Sequence, residues 1–88
     1  MTSGFKRRKI KSEKTVGEKL KQARKRAGYS LDLVEKETKV SLKYLQQIEN
    51  GDYDKLPAEV YVMGFLRRYA DFMQINAGAV AEQFIGQE

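Results

Sequence analysis

The sequence predicts an all-α fold, a compact domain of five helices, and three observations carry that prediction. Apolar residues recur every three or four positions in five successive stretches, the spacing that gathers them on one face of a helix. The stretches open on residues suited to a helix start, Thr15, Ser30, Ser41, Pro57 and Asn76, and three close on a glycine, Gly28, Gly51 and Gly86. Between Ser30 and Gly51, SLDLVEKETKVSLKYLQQIENG reads as two short helices meeting at a tight turn.

Residues 1–14 come first and differ from the rest. They carry six basic residues against Glu13 alone, with only Phe5 and Ile10 to bury, which predicts a disordered basic arm ahead of a helical domain over 15–86. Residues 15–88 hold eleven basic and eleven acidic side chains, so the net charge of +5 resides in the arm and the folded body is neutral. Such an arm is either a solvated tail or a strand of cations for phosphates or an anionic membrane surface.

The first helix starts at Thr15, where Thr15 and Glu18 form a capping-box pattern, and ends at Ala27 before a left-handed Gly28. Its inward stripe is Val16, Leu20, Ala23 and Ala27, and Lys19, Lys21, Arg24, Lys25 and Arg26 face outward. Tyr29 is assigned to the core. Ser30 and Ser41 cap the second and third helices, with Asp32 at the positive end of the second helix's dipole. Val34, Val40, Leu45 and Ile48 form the shared seam of this helix-turn-helix, leaving Asp32, Glu35, Lys36, Lys43, Gln46 and Gln47 in water. Asp52 to Leu56 is a short loop that tucks Tyr53 and Leu56 beneath the helices.

Pro57 starts the fourth helix, about Ala58 to Met73, since proline suits a first turn. At 100° per residue Val62, Leu66, Tyr69, Ala70 and Met73 share one arc, while Tyr61, Phe65 and Phe72 form a second stripe bordered by Arg68. The apolar arc is wider than one-sided packing needs. Either a neighbouring helix covers the second stripe, or it is a partner surface of the aromatic and arginine composition that interface hot spots favour. Gly64 in mid-helix predicts close approach by another backbone. Asn76 caps a fifth helix, Ala77 to Ile85, with Val80, Ala81 and Phe84 inward, and Gly86 ends it.

Composition removes several function classes. With 88 residues the core supplies roughly 5 kcal/mol, which suits a binding module. Cysteine and histidine are absent, so no disulfide, thiolate nucleophile or zinc–cysteine site exists, and no catalytic constellation, metal site or cofactor loop is visible. The longest apolar stretch, Val60 to Leu66, is far short of the roughly 20 residues of a bilayer span, and no signal peptide leads the chain. The expectation is a non-catalytic, soluble, cytoplasmic chain that takes no cofactor.

The pattern S-x-x-x-L-x-x-I-E-N-G, carried by Ser41, Leu45, Ile48, Glu49, Asn50 and Gly51, resembles the helix-turn-helix of the phage Cro and repressor type. Its continuation G-D-Y-D-x-L-P-A-x-V-Y-V-x-G-F-L-R-x-Y-A, residues 51–70, resembles something narrower, the cytoplasmic helix-turn-helix domain of the RodZ family of bacterial cell-shape proteins. The two resemblances together cover about residues 15–75.

The wider resemblance implies double-stranded DNA as a partner. The head of the third helix would enter the major groove with Ser41, Leu42, Lys43, Gln46 and Gln47, the start of the second helix would grip phosphates, and Lys6, Arg7, Arg8 and Lys9 of the arm, outside the resemblance, would add phosphate contacts by their charge. Gln47 and Lys43 suit base reading, whereas Leu42 and Leu31 offer no donor or acceptor. The narrower resemblance implies docking on the actin-like filament protein MreB through Tyr61 and Phe65, with Arg67 and Arg68 beside them and Phe72 completing the stripe. RodZ-type chains continue into a membrane span and an extracytoplasmic part. The 88 residues are therefore read either as part of a membrane-anchored chain or as a stand-alone relative. Docking is the preferred reading, with DNA binding as the alternative on a different face.

Overall fold

The computed structural model describes residues 15–87, all helix and connection. The elements are α1 Val16–Ala27, α2 Leu31–Thr38, α3 Leu42–Asn50, a 3-10 turn Tyr53–Lys55, α4 Glu59–Phe72 and α5 Ala77–Gln87. The basic arm lies outside the described residues.

Local capping sets most of the boundaries. Thr15 Oγ1 accepts from Glu18 N–H at 3.0 Å, Ser30 Oγ from Leu33 N–H at 3.1 Å, Ser41 Oγ from Tyr44 N–H at 3.3 Å and Asn76 Oδ1 from Ala79 N–H at 3.0 Å. Each satisfies a donor that the helix itself cannot. Gly28 and Gly51 end α1 and α3 at φ 77° and 78°, a backbone conformation glycine adopts without penalty. Between α2 and α3 the same conformation falls on Lys39, at φ 67°. Thr38 steadies that turn: its buried hydroxyl donates to Val34 O at 2.7 Å and accepts from Val40 N–H at 3.2 Å.

The helix-turn-helix seam forms as the periodicity predicts, with Val34, Val40, Leu45 and Ile48 fully buried. α1 packs on α3, α2 on α4, and α4 most extensively on α5. Val62, Leu66, Tyr69 and Ala70 of α4 join Val80 and Phe84 of α5 in one core with Val16 and Leu20 of α1. Tyr53 turns inward from the 3-10 turn, meets Phe84 edge-on at 5.1 Å and accepts from Gly17 N–H at 2.9 Å.

Gly17 marks the closest approach of two helices. A Cβ built there would stand 1.7 Å from Ile48 O, so α1 crosses α3 at a separation that admits no side chain. The sequence assigns that role to Gly64 instead, but Gly64 is exposed and a Cβ there meets open space.

Other expectations shift. Pro57 precedes the helix rather than starting it, because Ala58 is the extended N-cap whose carbonyl accepts from Tyr61 and Val62. Ala27 is exposed. Gly86 keeps a helical backbone within α5, which runs to Gln87. Tyr29 is not core: it is 38% exposed, in a surface turn whose carbonyl accepts from Arg24 Nη1 at 2.9 Å. No described helix is long and apolar enough to cross a membrane.

Candidate functional site

Beside its core-facing arc, α4 carries the aromatic stripe. Val60 and Tyr61 are 71% and 57% exposed, Arg67 and Arg68 are exposed, and Phe65 and Phe72 are half-buried. Tyr61 and Phe65, one helical turn apart, stand 6.5 Å between ring centroids at 25°. Phe65 in turn stacks on Tyr44 of α3 at 5.3 Å and 19°. Three rings therefore run as a ladder from α3 onto α4, the inner ones fixed by packing and the outermost in water. Tyr44 was not among the residues singled out from the sequence, and only its place one residue before the buried Leu45 hinted at it.

Within the predicted partner surface, Phe65 and Phe72 meet different neighbours. Phe72 pairs with Tyr29 at 5.4 Å and 43°, and Arg68 shares a shallow groove with Glu37, Thr38, Asp71 and Phe72, between α2 and α4. Tyr61, Phe65 and Tyr44 form the ladder, and Phe72 takes Tyr29 as its ring partner.

On α3 the predicted DNA readers divide as well. Lys43 and Gln46 are exposed. Ser41 spends its hydroxyl on the helix cap, and Leu42 is half-buried with its N–H donating to Glu35 Oε2 at 2.8 Å. Gln47, expected in water as a base reader, is half-buried, and its Oε1 is a buried acceptor without a hydrogen-bond partner among the described residues. Its position beside Ile48 and two residues after Leu45 puts it on the rim of the seam. Lys6, Arg7, Arg8 and Lys9 lie outside the described residues.

Behind these faces sits a polar cluster that periodicity did not reveal. Arg24, assigned to the outer face of α1, turns inward and grips Glu49 of α3 with two bonds, Nε to Oε2 at 2.8 Å and Nη2 to Oε1 at 3.0 Å. The Tyr69 hydroxyl donates to the same Oε2. Glu49's side chain is 4% exposed and Arg24's 12%. A fully buried carboxylate is tolerable only with such a set of donors. The available signal was Tyr69 itself, a hydroxyl in the middle of an inward stripe, which requires a polar partner.

Burial, and then the bond to Glu49, push the Tyr69 phenol well above its ordinary range. The Glu49 bond likewise raises the already high Arg24 pKa. A group whose folded pKa is raised gives its full stabilisation below its unfolded pKa, about 10 for tyrosine, and loses it as pH rises beyond that value. Unfolding free energy should therefore fall above about pH 10, by up to about 1.4 kcal/mol per pH unit from this group. Urea titrations of the parent chain and Tyr69→Phe, run side by side across that range, isolate its share from those of the other tyrosines and the lysines; parallel curves would show that Tyr69 contributes none.

A helix-turn-helix domain family model matches residues 19–80. The cytoskeleton protein RodZ of Streptococcus pneumoniae (strain ATCC BAA-255 / R6) is 36% identical over 72 residues, which is 82% of this chain and 26% of that protein. The uncharacterised membrane protein YmfM of Bacillus subtilis (strain 168) is 35% identical over 54 residues, 61% of this chain and 19% of that protein. Among solved structures, YmfM of Staphylococcus aureus, described as a candidate DNA-binding membrane protein, superposes with a TM-score of 0.79 at 36% identity, over 84% of this chain and 90% of that one. The chain thus spans about a quarter or less of the length of the two curated relatives.

Proposed function

The chain belongs to the helix-turn-helix domain family, and from that premise we propose that it is a non-catalytic docking module for an actin-like cytoskeletal filament of the MreB kind. The observation that carries the reading is Tyr61, an aromatic side chain 57% exposed on a rigid helix, beside a Phe65 ring already held by Tyr44. An anchor fixed before binding loses little conformational freedom on association, and aromatic residues edged by arginine are the composition of interface hot spots. Arg67 supplies an exposed cation one turn on from Gly64, whose bare backbone leaves α4 open to close approach. The cytoskeletal description of the RodZ relative supports the same partner class. The module would act on the cytoplasmic side, as part of a membrane-anchored chain.

Tyr61→Ala tests this reading. Co-sedimentation with MreB filaments should weaken by about 30-fold, the effect of removing one hot-spot residue, while stability stays within about 0.5 kcal/mol of the parent because the ring lies largely in water. Unchanged co-sedimentation would overturn the proposal. Phe65→Ala, which also removes the ring packed on Tyr44, should lose both binding and stability.

DNA binding is the second reading, favoured by exposed Lys43 and Gln46 and by the description of the Staphylococcus aureus YmfM. It draws little from the neutral body, because affinity for duplex DNA rests largely on cations at phosphates. A parallel titration with mixed duplex at two salt concentrations separates the readings. Salt-resistant binding to a subset of duplexes, with none to filaments, would favour DNA.

A further inference from the structure

The head of a helix offers unpaired N–H groups and the positive end of the dipole, and proteins that bind DNA through a helix-turn-helix place such groups and nearby side chains against phosphates. In this chain two of the N–H groups at the head of α3 are already engaged. Leu42 N–H, at the first position of α3, donates to Glu35 Oε2 at 2.8 Å in a half-buried contact that reaches back across the turn from α2. Tyr44 N–H is held by Ser41 Oγ at 3.3 Å. The first side chains of α2 and α3 are Leu31 and Leu42, neither with a donor. A carboxylate thus stands at the head of α3, the end that a helix-turn-helix presents to the major groove, and holds a backbone donor there.

We propose that Glu35 is a specificity residue that turns this helix-turn-helix away from nucleic acid. Its charge repels the phosphate backbone at the head of α3, and its bond to Leu42 N–H removes a phosphate donor while capping the helix. The same atom that completes the fold excludes the competing ligand. This inference concerns the α2–α3 turn and stands or falls independently of filament docking through α4.

The test compares two variants that change net charge equally. Glu35→Gln keeps a carbonyl oxygen within reach of Leu42 N–H and loses only the charge; Glu82→Gln neutralises an exposed carboxylate on α5. Full-length chains are titrated against a labelled mixed-sequence duplex, followed by fluorescence anisotropy at a low and a moderate salt concentration, with urea curves confirming that each variant folds. Glu35→Gln should bind about fivefold tighter at low salt, the effect of one unit charge about 4 Å from another in water. Its salt dependence should steepen by about one phosphate contact. Glu82→Gln should stay within about twofold of the parent, as an isolated surface charge does under screening. Equal affinities for Glu35→Gln and the parent would mean that the carboxylate is only a cap, and equal tightening by both variants would mean that net charge alone matters. Either result overturns the proposal. Should Glu35→Gln fold poorly, Glu35→Ala, which frees Leu42 N–H outright and leaves the Ser41 cap in place, must show the same tightening.

Discussion

Gly17→Ala should remove most of the domain's stability. The new methyl carbon would fall 1.7 Å from Ile48 O and 2.7 Å from its carbonyl carbon, and both belong to the backbone of α3, which has no rotamer to yield. Relief requires α1 and α3 to part, which pulls Val16 and Leu20 off the core and breaks the bond from Gly17 N–H to Tyr53. Overpacking of this kind costs at least about 3 kcal/mol, most of the roughly 5 kcal/mol a core this size provides. Gly64→Ala makes the opposite substitution, since its methyl meets open space on a helix surface, and should stabilise by about 0.5–1 kcal/mol. Urea unfolding followed by far-UV circular dichroism measures both. Equal stabilities for the two variants would show that the α1–α3 crossing is looser than described.

Glu49→Ala should cost about 3 kcal/mol. It leaves the Arg24 guanidinium without its two bonds and the Tyr69 hydroxyl without its acceptor, and breaking a buried pair from one side typically costs about 3–5 kcal/mol. The lower end applies because Arg24 keeps 12% side-chain exposure and can still reach water and the Tyr29 carbonyl. Adding Arg24→Met to Glu49→Ala should recover part of the loss, because the stranded charge is removed together with its need for a partner. A loss below about 1 kcal/mol for Glu49→Ala would mean that the cluster merely fills space.

The helix boundaries were legible because their causes are local. Thr15, Ser30, Ser41 and Asn76 cap with side chains that reach three residues along the chain, and a reader of the sequence sees both partners at once. The inward stripes of α3, α4 and α5 were legible for the same reason, since one period decides them. What escaped depends on residues far apart in sequence. Gly17 is constrained by where α3 passes, and Arg24 turns inward because Glu49, 25 positions later, lacks a counter-ion without it. A run of cations on α1 conceals one that is committed to the interior. For the candidate surface, the neighbouring pair Tyr61 and Phe65 followed from helical spacing, whereas the division that sends Phe72 to Tyr29, and the third ring from Tyr44, followed only from the crossing of α3 and α4.

The Arg24–Glu49–Tyr69 cluster draws one residue from each of three helices into a single set of directional bonds. Apolar side chains can repack at several crossing angles with little penalty; three polar groups sharing one carboxylate cannot. The orientation of α3 relative to α4 is therefore specified from behind their outer faces, with the Tyr44–Phe65 stack as a second contact between them. Lys43 and Gln46 on one side and Tyr61 and Arg67 on the other are thereby relieved of any duty to the fold. A scaffold so arranged is evolvable: its surface residues can be exchanged for those suited to a filament, a duplex or another partner, while the angle at which the two faces are presented is inherited unchanged.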